Sequence, residues 1–125
     1  MVSSRSSSDH AATVERLLAA IEQRELTVFA RFDHAAAARE AGLELHEELV
    51  VVFGNPQAGT LLMQSDPRVG IELPLRILVW EGEDGVRLGY EDPRGLAGEY
   101  DLGDRGEILE RMAGLLEQLV AEAAG

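Results

Sequence analysis

The chain contains no cysteine and no lysine. Without cysteine there is no disulfide framework, no thiol nucleophile and no thiolate metal site. Without lysine there is no ε-amine for Schiff-base chemistry; all eleven basic residues are arginine. Long apolar runs are also missing, and none approaches the roughly 20 residues of a membrane span. No charged start followed by an apolar segment opens the chain, so no signal peptide is expected and the protein reads as soluble and cytoplasmic. Positive charge is scarce, with a net charge of -12. Phosphate binding needs clustered cations, so neither nucleic acid nor an anionic membrane is expected as a partner.

What is present is a single domain, residues 1–125, long enough to bury a core without disulfides or metal. Residues 1–8 are serine-rich and read equally as a tail or as an edge strand. Ser8 or Asp9 suits a helix cap, and Val14, Leu17, Leu18 and Ile21 form an apolar stripe. Glu25 falls at the left-handed position where that helix stops, at a cost of about 1 kcal/mol. Leu26 to Asp33 alternates as a strand. Asp33 then caps a short helix from His34 to Ala41, which Gly42 ends.

Leu49 to Phe53 is apolar at every position and reads as a central strand covered on both faces. It breaks at Gly54-Asn55-Pro56, where Asn55 suits a cap and Pro56 a first helical position. A helix over Gln57 to Ser65 follows, with Leu61, Leu62 and Met63 read as core. Ile71 to Glu81 reads as a long strand, with Pro74 implying an edge or bulge. Asp84-Gly85 signals a hairpin to Val86–Glu91, across which Trp80 and Tyr90 are expected to face each other. Asp104 and Glu107 form a capping-box pattern at the start of a last helix ending at Ala124. The fold class is therefore α+β: a two-layer sandwich, with a mixed or antiparallel sheet of four or five strands and helices on one face.

Residues Phe53-Gly54-Asn55-Pro56, Gly59-Thr60 and Met63, then Leu73 to Glu81 and Tyr90-Glu91-Asp92-Pro93, resemble the DUF302 family. Arg31 to His34 and Ala41-Gly42-Leu43 fit as well, so the likeness runs from about Ser4 to Leu96. The resemblance implies an α+β domain that dimerises, and it implies no activity. Many relatives carry cysteine in a Cys-Asn-Pro step and a Leu-Pro-Cys step. Gly54 and Leu75 stand there in this chain, so a thiol or metal role does not carry over.

Asp33, His34, Gly54, Asn55, Thr60 and Arg76 are the candidate ligand-binding residues. Asp33 beside His34 suggests a base oriented by a carboxylate, but a cap followed by a first-turn histidine explains the pair more simply. Asn55 reads either as a ligand contact at the end of the strand or, more simply, as the helix cap before Pro56. If the strands before these two helices were parallel, both helix starts would open on one end of the sheet. Arg76 is expected to pair with Glu72, Glu81 or Glu91, or to hold a ligand carboxylate. No phosphate loop or dinucleotide fingerprint occurs and the three histidines are scattered, so no cofactor and no metal are expected. Three readings follow in order: a non-catalytic domain binding a small molecule or partner near Gly54-Asn55-Pro56, as a homodimer; a purely structural homodimer; and an enzyme using His34 with Asp33 and Asn55.

Overall fold

A computed structural model describes all residues, 1–125. Five antiparallel strands form one sheet in the order β1-β5-β4-β3-β2. They are β1 (Val2–Arg5), β2 (Thr27–Asp33), β3 (Glu48–Gly54), β4 (Leu75–Gly82) and β5 (Gly85–Tyr90). The helices are α1 (His10–Gln23), α2 (His34–Glu40), α3 (Pro56–Ser65), the single turn α4 (Leu96–Glu99) and α5 (Gly106–Ala124). The α+β class holds, and the serine-rich start is the edge strand β1, paired to β5 with Val2 opposite Tyr90.

Local chemistry sets the element ends. Asp9, Asp33 and Asn55 each accept a backbone N–H of the helix they precede, from Ala12, Ala36 and Gln57. Helix α1 closes with Glu25 at φ 56°, its N–H donating to Glu22 and the Leu26 N–H donating to Ile21. Gly42, at φ 78°, closes α2 through the same pair of bonds. Helix α5 lacks the expected capping box: its first cap position is Arg105, with no side-chain bond. The strand expected from Ile71 is present but begins at Leu75, because residues 67–72 form a 3₁₀ turn. Asp66 binds the Arg68 N–H and Pro67 takes the first position, which curls the chain before β4 begins.

The main core lies between α1 and α5 and one face of the sheet. Leu17 and Ile21 of α1 and Leu116 and Leu119 of α5 pack on Val51, Phe53, Ile77, Val79 and Leu88. Burying each such side chain is worth about 1.5–3 kcal/mol. A smaller core joins Leu62 and Val69 to Leu102, Ile108, Leu109 and Met112. Residues near the two chain ends are held together: Arg16 donates twice to the Ala123 carbonyl, at 3.0 and 2.8 Å, and the Ser7 N–H donates to the Ala124 carbonyl.

The opposite face carries no helix layer over its middle strands. Strand β3 is interior but not central, and its burial alternates rather than being complete. Leu49, Val51 and Phe53 are buried while Val50 and Val52 are half-buried, because only one side has helices. Register puts Phe32 and Leu78 beside Val50, and Arg76 beside Val52, on this open face. Trp80 lies there too, opposite Glu48 and Arg87. Tyr90 points to the other face, so the expected Trp80–Tyr90 pair does not form. Trp80 rests instead over Gly89, where a Cβ would come within 3.0 Å of its ring.

Candidate functional site

A hollow of about 320 Å³ opens where β3 hands over to α3. Gly54 and Asn55 form the turn at its edge; Gly59, Thr60 and Met63 of α3 form one wall. Leu26 and Phe29 close a second side, Leu73 to Leu75 a third, and Met112 and Leu115 reach in from α5. The pairing of β2 with β3 slips between Val28 and Ala30, leaving Phe29 as the extra residue of a bulge. A bulge redirects a side chain, and Phe29 joins the hollow's lining. Asn55 Oδ1 is 2.9 Å from the Gln57 N–H it accepts, and the Thr60 hydroxyl donates to the Pro56 carbonyl at 2.7 Å. Met63, expected in the core, is 37% exposed at the rim. A helical stripe cannot distinguish the wall of a core from the wall of a cavity.

Gly54, Asn55 and Thr60 therefore share one hollow; Asp33, His34 and Arg76 are not in it. Strands β2 and β3 are antiparallel, with Asp33 opposite Leu49 and Thr27 opposite Gly54. The two helix starts consequently open at opposite ends of the sheet, about 20 Å apart for six strand residues. A catalytic arrangement of His34 and Asp33 with Asn55 is not assembled. Asp33 caps α2, and the His34 ring packs edge-on against Phe32 with centroids 4.9 Å apart. Arg76 is exposed on the open face and makes none of the expected ion pairs. Its three candidate partners are engaged elsewhere: Glu72 accepts the Tyr100 hydroxyl, Glu81 faces His46, and Glu91 faces the N-terminal ammonium.

One polar cluster escapes the sequence reading. Asp66, only 5% exposed, accepts from the Arg68 guanidinium at 2.8 and 3.1 Å and from the Asp101 N–H at 2.9 Å. The Arg68 hydrogen bonds hold its carboxyl well below the usual carboxylate range, with the Asp101 N–H adding to the effect. Arg68 also lies 5.8 Å from the centre of the Tyr100 ring. The bond to Glu72 pushes the Tyr100 hydroxyl up. This network ties the 3₁₀ turn to the loop before α5. The Asp-Pro-Arg triplet at 66–68 is its sequence signal, an aspartate able to cap its own turn. No three His, Asp or Glu side chains converge closely enough to hold a metal ion.

Fold and hollow together define a small α+β domain with a largely apolar cavity at one end of a five-stranded antiparallel sheet. The chain belongs to the family described as domain of unknown function DUF302, whose model matches residues 2–119. A crystal structure of an uncharacterized conserved DUF302 protein from Bacillus stearothermophilus superposes with a TM-score of 0.85, covering 98% of this chain and 96% of that one. At 22% identity that likeness concerns the fold. The chain is also 46% identical over 94 residues to fluoride-specific ion channel FluC 1 of Brucella suis biovar 1 (strain 1330). The match covers 74% of this chain and 37% of that protein. Fluoride-specific ion channel FluC 1 of Brucella abortus biovar 1 (strain 9-941) matches at the same identity over 35% of its length. The chain thus spans little more than a third of these curated relatives. No helix here is long and apolar enough to cross a membrane.

Proposed function

We propose that this protein is a non-catalytic binding domain that takes a small molecule in the hollow beside Gly54-Asn55-Pro56 and works as a homodimer. The hollow itself carries the reading: none of its fifteen lining residues is ionisable. A wall of that kind suits retention of a ligand rather than proton transfer. The open sheet face supports the homodimer, since Val50, Val52, Leu78 and Trp80 form a half-buried apolar strip that a second copy can cover. A purely structural dimer rests on that strip alone. The matching segment in proteins named as fluoride-specific ion channels supports a partner-binding role, because it is there part of a much longer chain. The net charge of -12 favours an aqueous compartment, proposed to be the cytoplasm, and opposes nucleic acid.

Two measurements test the reading. Thermal shift against a panel of neutral metabolites is expected to reveal stabilisers whose effect disappears in Asn55→Trp, which crowds the rim. A panel with no stabiliser counts against the ligand. Light scattering is expected to give twice the 13.6 kDa chain mass, and Val52→Glu on the open face is expected to give monomer. A wild-type monomer at micromolar concentration refutes the dimer.

A further inference from the structure

We infer that the occupant of this hollow is an uncharged molecule with an aromatic or branched-alkyl body and a hydrogen-bond acceptor; the inference rests on the cleft reading above. Charge is the first argument. Residues in this chain are 27% charged, so fifteen drawn at random would include about four, whereas the hollow has none. An ion placed there gives up part of its hydration and meets no charge among these fifteen residues, at a cost of several kcal/mol. The adjoining hollow, which shares Leu26, Asn55, Ala58, Met112 and Leu115, brings only the charge of Arg111. An anion is further opposed by the net charge of -12.

The polar inventory is the second argument. Only Asn55 and Thr60 bring polar side chains to the wall. Asn55 Oδ1 is occupied by the Gln57 N–H, and the Thr60 proton by the Pro56 carbonyl. The Asn55 Nδ2 amide remains as the free side-chain donor, and it suits a carbonyl or ether oxygen.

The rim is the third. Phe29 and Met63 are 47% and 37% exposed, and both border the hollow. The bulge removes Phe29 from the regular alternation of β2, and the bare Gly70 lets the Met63 thioether lie where a Cβ would sit 3.1 Å from its sulfur. A flexible thioether and an aromatic ring bordering one hollow make a wall that adapts to ring-shaped apolar ligands.

The test uses a matched pair of dyes, N-phenyl-1-naphthylamine and its sulfonated analogue 8-anilinonaphthalene-1-sulfonate, titrated into the full chain by fluorescence. The expected result is saturable binding of the neutral dye and binding of the sulfonate weaker by about tenfold or more. Met63→Glu, a change at an exposed position, is expected to weaken the neutral dye by a similar factor. Leu43→Ser, at an exposed position after α2 and outside both the hollow and the open sheet face, is expected to leave it unchanged. If the sulfonate binds as tightly as the neutral dye and both are lost in Met63→Glu, the cleft stands and the uncharged-ligand inference is overturned. If the neutral dye does not saturate, if Met63→Glu binds it like wild type, or if Leu43→Ser removes it, the cleft reading and the inference both fail.

Discussion

Thr13 is fully buried and Ser6 nearly so, at 8% exposure, and their hydroxyl oxygens are 2.6 Å apart. The proton directions follow from the neighbours. Thr13 donates to the Asp9 carbonyl at 2.7 Å, so the shared proton comes from Ser6, which in turn accepts the Ser8 N–H at 3.2 Å. This relay pins the segment after β1 to the first turn of α1. Thr13→Val keeps the shape and strands the Ser6 hydroxyl, which costs about 1.5 kcal/mol. Ser6→Ala removes the acceptor of Ser8 and leaves Thr13 its own bond to Asp9, which costs about 1 kcal/mol. In the double variant no hydroxyl is stranded, so the loss is about 1.5 kcal/mol instead of the additive 2.5, a coupling of about 1 kcal/mol. Urea unfolding followed by the fluorescence of Trp80, the sole tryptophan, measures all four proteins. Losses that add within about 0.3 kcal/mol refute the relay.

Glu25→Gly relieves the left-handed residue at the end of α1 and is expected to stabilise the fold by about 1 kcal/mol, read as a rise of about 4 °C in Tm; an unchanged or lower Tm contradicts it. Leu119→Ala, at a fully buried site between α5 and the sheet, is expected to lose about 2–5 kcal/mol in denaturant unfolding. Asp66 has a depressed carboxyl pKa in the fold, so its contribution is present above the unfolded value near pH 4 and fades as pH falls through the folded one. Stability measured from pH 5 down to pH 2 should therefore fall less steeply in Asp66→Asn than in wild type, and identical slopes sink the assignment.

Most features decided within a few residues were legible in the sequence, the capping box expected at Asp104 and Glu107 being the exception. Caps at Asp9, Asp33 and Asn55, the stop at Gly42 and the left-handed Glu25 each depend on one turn of chain, and each is where it was expected. Features decided by neighbours distant in sequence were not. Alternation in Leu26–Asp33 marks the faces of a strand but gives no sign of whether the next strand runs with or against it. That direction separates His34 from Asn55. The all-apolar Leu49–Phe53 run announces burial without saying what covers each side, and here one side has no helix. Phe29 reaches the hollow through a bulge, a register defect that the residue pattern does not encode. Arg76 makes no ion pair, while Glu72, Glu81 and Glu91 face Tyr100, His46 and the N-terminal ammonium, an outcome of packing that the residue pattern does not encode.

The two hydrogen bonds from Arg16 to the Ala123 carbonyl have a consequence for dynamics. A final helical turn ordinarily frays, and no basic residue in the last turn of α5 opposes its dipole. Here the cation comes from α1, and Ser7 holds the next carbonyl. Loosening the last turn of α5 therefore disturbs Ser7 and Arg16 as well. The amides of that turn should exchange with solvent more slowly than those of an untethered helix end, so the last turn of α5 and the segment joining β1 to α1 open as one cooperative unit.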